Sequence, residues 1–494
     1  MMMRHFLLIP ILFLLGLQAG CGPTPSDVTE ADVLPDIYPD YCGVTVPENI
    51  APLNFLMRGD CDALYVTARC GDMEIKSQRK GNEAVFRLDE WKRLMKNASG
   101  KSVAVTVTAR ENGEWKEYRP FAISVSPDRI DPYLTYRLIE PDYEVFSRLQ
   151  IMERNVEDFS ERVLCDYNAV GNRCMNCHTH APGNQDLSFL YVRGEGGGMV
   201  VNDHGRLKLL DFKTPDMVSG PVYGQFDPSG RYIVFSTNKI IPALHSRPDK
   251  RLEVFDTKSD VYVYDRDRDK VLRSPLLADS TRLETFPTFS ADGRSIYWCA
   301  AEGEARPSSL DSLHYSLCRI DFDPASGAFG EKTDTVVKGN RNNGSVSHPR
   351  VSPDGRRLLY TVSDFGTFPI WHREADLRMI DLTTGRVDSL LNVNSPMSDT
   401  YHGWSSSGRW FVFASKRDDG LYGKPYFAHV AADGTVSKPF VLPQEYPSFY
   451  DLNLKSYNVP DLGSSPVSLT PPGVASLISQ SVCYSHLTLP ANSL

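Results

Sequence analysis

The stretch Pro349-Arg350-Val351-Ser352-Pro353-Asp354-Gly355-Arg356-Arg357-Leu358-Leu359-Tyr360 reads as a strand, a tight polar turn and a second strand. Gly355 suits the positive φ that such a turn needs, and the second strand is apolar enough to be buried on both faces. The unit recurs at residues 224–235, 288–298 and 403–413. Its turn glycines, Gly230, Gly293, Gly355 and Gly408, lie 63, 62 and 53 residues apart. Between the copies, residues 260–265, 316–321 and 376–381 each read as a third strand, followed by a turn and a weaker fourth. Four strands per repeat with no edge left open is the logic of a β-propeller. The spacing exceeds the usual ~40 to 45 residues per blade, so segments such as 240–253 and 301–315 should project as long loops. A degenerate blade at 188–212 and a closing strand or blade from 132–138 or 446–457 bring the expected total to about six.

Upstream of the repeats stands Cys174-Met175-Asn176-Cys177-His178, the C-x-x-C-H spacing by which haem is attached covalently. Each thiol can add across one haem vinyl group, and the adjoining His178 can ligate the iron. The same residues with His180 could instead form a zinc or dithiol site. No second C-x-x-C or H-x-x-x-H supplies the partner pair usual for zinc. For the opposite side of the iron the nearest candidates downstream are Met199, after Gly196-Gly197-Gly198, and His204. Residues 141–173 change to a period of about three and a half, with Phe146, Leu149, Met152, Val156, Phe159 and Val163 on one face. A helix leading into the motif is therefore expected, and residues 127–185 are read as a short helical haem-binding segment.

The ends set the compartment. Arg4 and His5 precede an apolar run of twelve, Phe6 to Leu17, which is too short to span a bilayer and reads as an export signal over 1–21. Gln18-Ala19-Gly20-Cys21 resembles a bacterial lipobox, which implies lipidation at Cys21. Residues 22–40 read as a Pro-, Asp- and Thr-rich tether, and residues 460–494 as a disordered tail. Residues 41–126 carry short alternating strands and suggest a small Ig-like β-sandwich. Export permits disulfides, with Cys61–Cys70 and Cys299–Cys318 as local possibilities.

The chain has 494 residues, 41% of them hydrophobic, enough for two or three ordinary domains. A formal charge of −9 without a basic run argues against nucleic acid as partner. No acid–base or nucleophile set stands out. Gly403-Trp404-Ser405-Ser406-Ser407-Gly408 has the wrong spacing for a nucleophile elbow. Asp265-Arg266-Asp267-Arg268-Asp269 lacks the Gly and Glu of a calcium loop, carrying Lys270 and Leu276 at those places.

The Ser-Pro-Asp-Gly-Arg signature at 352–356 resembles the repeats of TolB-like propellers, over about residues 187–455. In some peptidases such repeats precede a hydrolase domain, and no strand-and-helix hydrolase segment follows here. The resulting expectation is a mainly β chain: sandwich, haem segment, and TolB-like propeller over 186–459. It would be lipid-anchored on the periplasmic side of the envelope, at the outer membrane, exchanging electrons with an envelope protein. The rival expectation is a non-redox scaffold that binds protein or glycan. A third is a haem sensor or peroxidatic site.

Overall fold

A computed structural model describes residues 22–140, 148–211, 213–215, 217–247, 250–303 and 306–487. The export signal and Cys21 lie outside the described residues. The chain is mainly β, and its larger part is a propeller-like ring of six four-stranded antiparallel sheets, here called blades. Blades 2 to 6 begin with the inner strands Met175–Ala181, Val222–Phe226, Arg282–Phe289, Ser345–Val351 and Asp399–Trp404. Each continues outward through its next three strands. Blade 1 is composite: Tyr133–Ile139, Gln150–Asn155 and Glu161–Asp166 pair with Ser456–Gly463, which is its inner strand. The six inner strands adjoin one another in order, and blade 1 returns to blade 2, so the ring is closed by joining a late strand to early ones.

The repeated turns have a local cause. In blade 5 the Arg357 amide donates to Ser352 Oγ at 2.9 Å and the Arg356 amide to Asp354 Oδ1 at 3.0 Å, while Gly355 takes φ +71°. The Ser and Asp side chains thus satisfy the turn's own backbone donors, and Gly accepts a conformation costly to other residues.

The expected helix before the motif is a correction. Its described residues form the strands Gln150–Asn155 and Glu161–Asp166; part of the segment, 141–147, lies outside the described residues. Leu149, Ile151, Met152 and Val156 are all buried, because this sheet packs on both faces. A strand buried on both faces loses its alternation and cannot be told from a helix by period alone. Glu153 and Arg154 are buried and satisfied. Glu153 pairs with Arg162 at 2.7 Å and accepts from the Val467 amide at 2.7 Å; Arg154 donates to Pro443 O at 3.1 Å.

Two further boundaries move. Within the expected tether, Thr29–Ala31 pairs in parallel with Glu114–Tyr118, and Ile37–Tyr38 pairs with Phe55–Met57. Within the expected disordered tail, residues up to Gly463 complete blade 1 and Pro471–Leu487 is a helix. Val474 and Ile478 of that helix are buried in a cluster with Leu164, Val170 and Met175. The chain between 41 and 126 builds most of a seven-stranded sheet and a three-stranded one, with the helix Leu88–Asn97 contributing Trp91 and Leu94 to the core. Cys42, Cys61, Cys70, Cys165, Cys174, Cys177, Cys299 and Cys318 are all free, so neither Cys61–Cys70 nor Cys299–Cys318 is bridged. No described helix is long and apolar enough to cross a membrane.

Candidate functional site

Each inner strand breaks its ladder where a residue other than glycine takes positive φ. These residues are Cys177 at +53°, Tyr223 at +50°, Phe286 at +50°, His348 at +51°, Tyr401 at +45° and Val459 at +49°. The pairing register shifts at every one of these positions. Such a β-bulge re-aims a side chain, and left-handed φ costs an L-residue ~1 to 2 kcal/mol. All six residues line one chamber in the central channel. The Cys-His of the C-x-x-C-H motif is therefore the bulge dipeptide of blade 2, on a strand rather than on a helix.

On the motif's wall, the Tyr223 amide donates to Cys177 Sγ at 3.4 Å. His178 is buried; its ring nitrogens make no close hydrogen bond among the described residues, and the backbone of Thr135 and Val459 is near enough to favour its protonated form slightly. Burial, reinforced by Arg137 and His180, pushes its pKa down to about 3, so the imidazole is neutral at physiological pH. Burial pushes the Cys177 thiol up. Cys174 stands half-buried just before the strand and is not part of the chamber lining. His180 faces the other mouth of the channel, 3.4 Å from Asp461, and so leaves the motif's other donors. Among the described residues there is no group of three or more His, Cys, Asp or Glu able to hold a metal ion by itself.

The rest of the chamber is aromatic and cationic. Arg137, Arg193 and Arg350 line it, and among the described residues no carboxylate does. The Arg193 guanidinium donates to the Asn176 amide oxygen at 3.0 and 3.1 Å, which holds it beside the motif. At bulge level the ring centroids of Tyr223 and Phe286 are 4.5 Å apart, those of Phe286 and His348 3.9 Å, and those of His348 and Tyr401 4.7 Å. His402 follows the blade 6 bulge and its Nε2 donates to Leu359 O at 3.0 Å.

Only part of a covalent haem site is assembled here: the buried neutral imidazole of His178 suits iron, the Cys177 thiol suits one vinyl edge and the guanidinium groups suit propionates, whereas Cys174 lies outside the chamber. A flat macrocycle would enter only with Tyr223 and Phe286 turned aside. The expected ligands Met199 and His204 are not in the chamber. Met199 is buried in a cluster with Phe189, Phe226 and Tyr262, because alternation along Gly198–Asp203 sends it into the blade. His204 lies on an exposed turn, 2.7 Å from Asp203. Sequence reading missed His348 and the arginines; the signal was their fixed offset, since each bulge residue stands three places before the last apolar or ring residue ahead of the turn, as Tyr223 before Phe226 and Cys177 before His180.

No protein-family profile matches the chain, and no curated protein does. Among solved structures, a DUF4784 family protein from Bacteroides caccae is 11% identical, with TM-score 0.29, covering 73% of this chain and 97% of that one. A puromycin-hydrolyzing peptidase of Mycobacterium tuberculosis is 13% identical, with TM-score 0.35, and covers 84% of this chain and 57% of its own. Prolyl oligopeptidase B from Galerina marginata is 11% identical, with TM-score 0.36, over 68% of this chain and 43% of its own. Likeness at this level carries no argument about activity, and no family is assigned.

Proposed function

We propose that this chain is an exported, lipid-anchored TolB-like propeller with an Ig-like sandwich before it, which holds one c-type haem in its channel and passes single electrons to or from an envelope protein. The observation that carries the reading is His178: a buried, neutral imidazole that lines the chamber beside the Cys177 thiol. Cys174 and Cys177 would form the thioethers, His178 would ligate iron, and Arg137, Arg193 and Arg350 would face the carboxylates. When bound, haem supplies a one-electron Fe(III)/Fe(II) couple. The aromatic walls exclude water from that couple, and the arginines favour the more negative overall charge of the reduced state.

A second reading, a non-redox scaffold binding protein or glycan, has a specific observation in its favour. Every blade places a bulge dipeptide where Cys177-His178 stands, so architecture alone gives a reason for residues to face the channel there. The two readings separate on one measurement. The full chain is expressed with a c-type maturation system and stained for haem on a denaturing gel. Wild type should stain, and Cys174→Ala with Cys177→Ala should not, while its circular dichroism stays that of the folded chain. An unstained wild-type band removes the haem reading and leaves the scaffold.

A further inference from the structure

The central chamber carries more positive charge than its own walls balance. Arg137, Arg193 and Arg350 line it, and among the described residues no carboxylate does. Two acids act on it from outside the lining: Asp461 on Arg350, at the other mouth of the channel, and Asp256 on Tyr223. Arg137 and Arg193 both act on the Cys177 thiol, so their charges converge on the wall of blade 2. The Nε of Arg137 is buried without a hydrogen-bond partner among the described residues. Guanidinium groups withdrawn from water without a counter-charge are costly, and an anion between them offsets that cost.

The space sets the size of that anion. Tyr223, Phe286 and His348 stack at 4.5 and 3.9 Å between centroids and take up much of the chamber. They leave a cavity of about 80 Å³. Benzene occupies a cavity of ~150 Å³, so about half that space holds about four heavy atoms with every ring in place. Ile139, Phe286, Phe368 and Ile370 make part of the wall apolar. A short carboxylate meets both halves, its oxygens on the flat guanidinium forks and its alkyl end on the apolar wall. We propose that the chamber binds a short aliphatic carboxylate of about the size of acetate, held by Arg137 and Arg193 beside Cys177. This does not rest on the haem reading, because it uses the room left between the rings as they stand.

The test uses the full chain made without haem attachment. It is dialysed against radiolabelled acetate, and its Tm is followed in acetate, acetamide, phosphate and chloride at equal concentrations. Acetate should saturate a single site per chain with a Kd of about 1 mM or below and should raise Tm, whereas neutral acetamide and chloride should do neither. Saturating acetate should slow the iodoacetamide labelling of Cys177 and leave that of Cys174, outside the chamber, unchanged. Arg137→Met should weaken acetate binding at least about tenfold. Arg206→Gln, which removes a charge from the exposed outer strand of blade 2, should bind as wild type does. Should Arg137→Met fail to fold, the protection of Cys177 in wild type decides alone. Absence of saturable binding, equal binding of acetamide, or an unprotected Cys177 overturns the proposal. Phosphate binding in preference to acetate overturns the carboxylate class. The haem stain is read on separately matured protein, so its outcome and this one are independent.

Discussion

The backbone amide of Tyr223 donates to the sulfur of Cys177 at 3.4 Å, from the bulge of one blade to the bulge of its neighbour. The contact fixes the thiol toward the channel in surroundings that raise its pKa. Cys174, three residues earlier, is half-buried outside the chamber. In protein made without haem attachment, iodoacetamide at neutral pH should therefore modify Cys174 faster than Cys177, since burial both shields the Cys177 sulfur and disfavours its reactive thiolate. Peptide mass spectrometry over a time course reads the ratio. Equal rates, or Cys177 first, would mean that the chamber is wet and the thiol is not held as described.

Asp256 is fully buried on the third strand of blade 3, and burial pushes its pKa up to about 7, with Asn238 and Tyr315 pulling the other way. Its pKa in the unfolded chain is about 3.9. The folded state therefore holds the proton longer, so stability from this group is greatest below about pH 4 and falls as pH rises toward 7. The loss reaches at most about 4 kcal/mol above that point. Asp256→Asn should be more stable than wild type at pH 8 and gain nothing at pH 4.5, by urea midpoints at the two values. A constant difference between the two proteins across this range would show that Asp256 stays ionised when folded.

The lipid anchor is a claim about Cys21 alone. Cys21→Ser should move the protein from the membrane pellet to the soluble fraction, since no described helix can span a bilayer. Retention of the variant in membranes after a high-salt wash would assign the anchor elsewhere.

What could be read in advance follows the range of the interactions. The turns at Gly230, Gly293, Gly355 and Gly408 were legible because Ser and Asp bond to backbone only a few residues away. Blade 2 begins inside the haem motif, but its turn is Ala181-Pro182-Gly183-Asn184, without those side chains, so the repeat is hidden there. Blade 1 was legible only in its closing strand near 132–138, while its strands at 150–155 and 161–166 were hidden for a different reason. Glu153 finds its partner amide at Val467 and Arg154 its carbonyl at Pro443, hundreds of residues on, and local pattern cannot reveal such partners. The chamber was hidden most completely. Cys, Tyr, Phe, His, Tyr and Val share no chemistry, and only the repeated bulge geometry brings them to one wall.

Closure of the ring gives the last prediction. Ser456–Gly463 pairs with Tyr133–Ile139, and Tyr457 packs on Tyr136 at 4.7 Å between centroids. Deleting residues 456–487 would leave Tyr133–Ile139 as an open, apolar edge and would separate blade 1 from blade 6, whose inner strand packs against the deleted one. Deleting only 471–487 keeps the ring and removes the helix that seats Val474 and Ile478, a loss of about 3 kcal/mol for two such side chains. The shorter deletion should therefore fold cooperatively with a lowered Tm. The longer one should aggregate or lose its cooperative transition, and a peptide of residues 456–463 added in excess should partly restore it. Thermal denaturation and size-exclusion chromatography of the two truncations check both outcomes. A longer truncation that stays monomeric with an unchanged Tm would mean that Ser456–Gly463 does not close the ring.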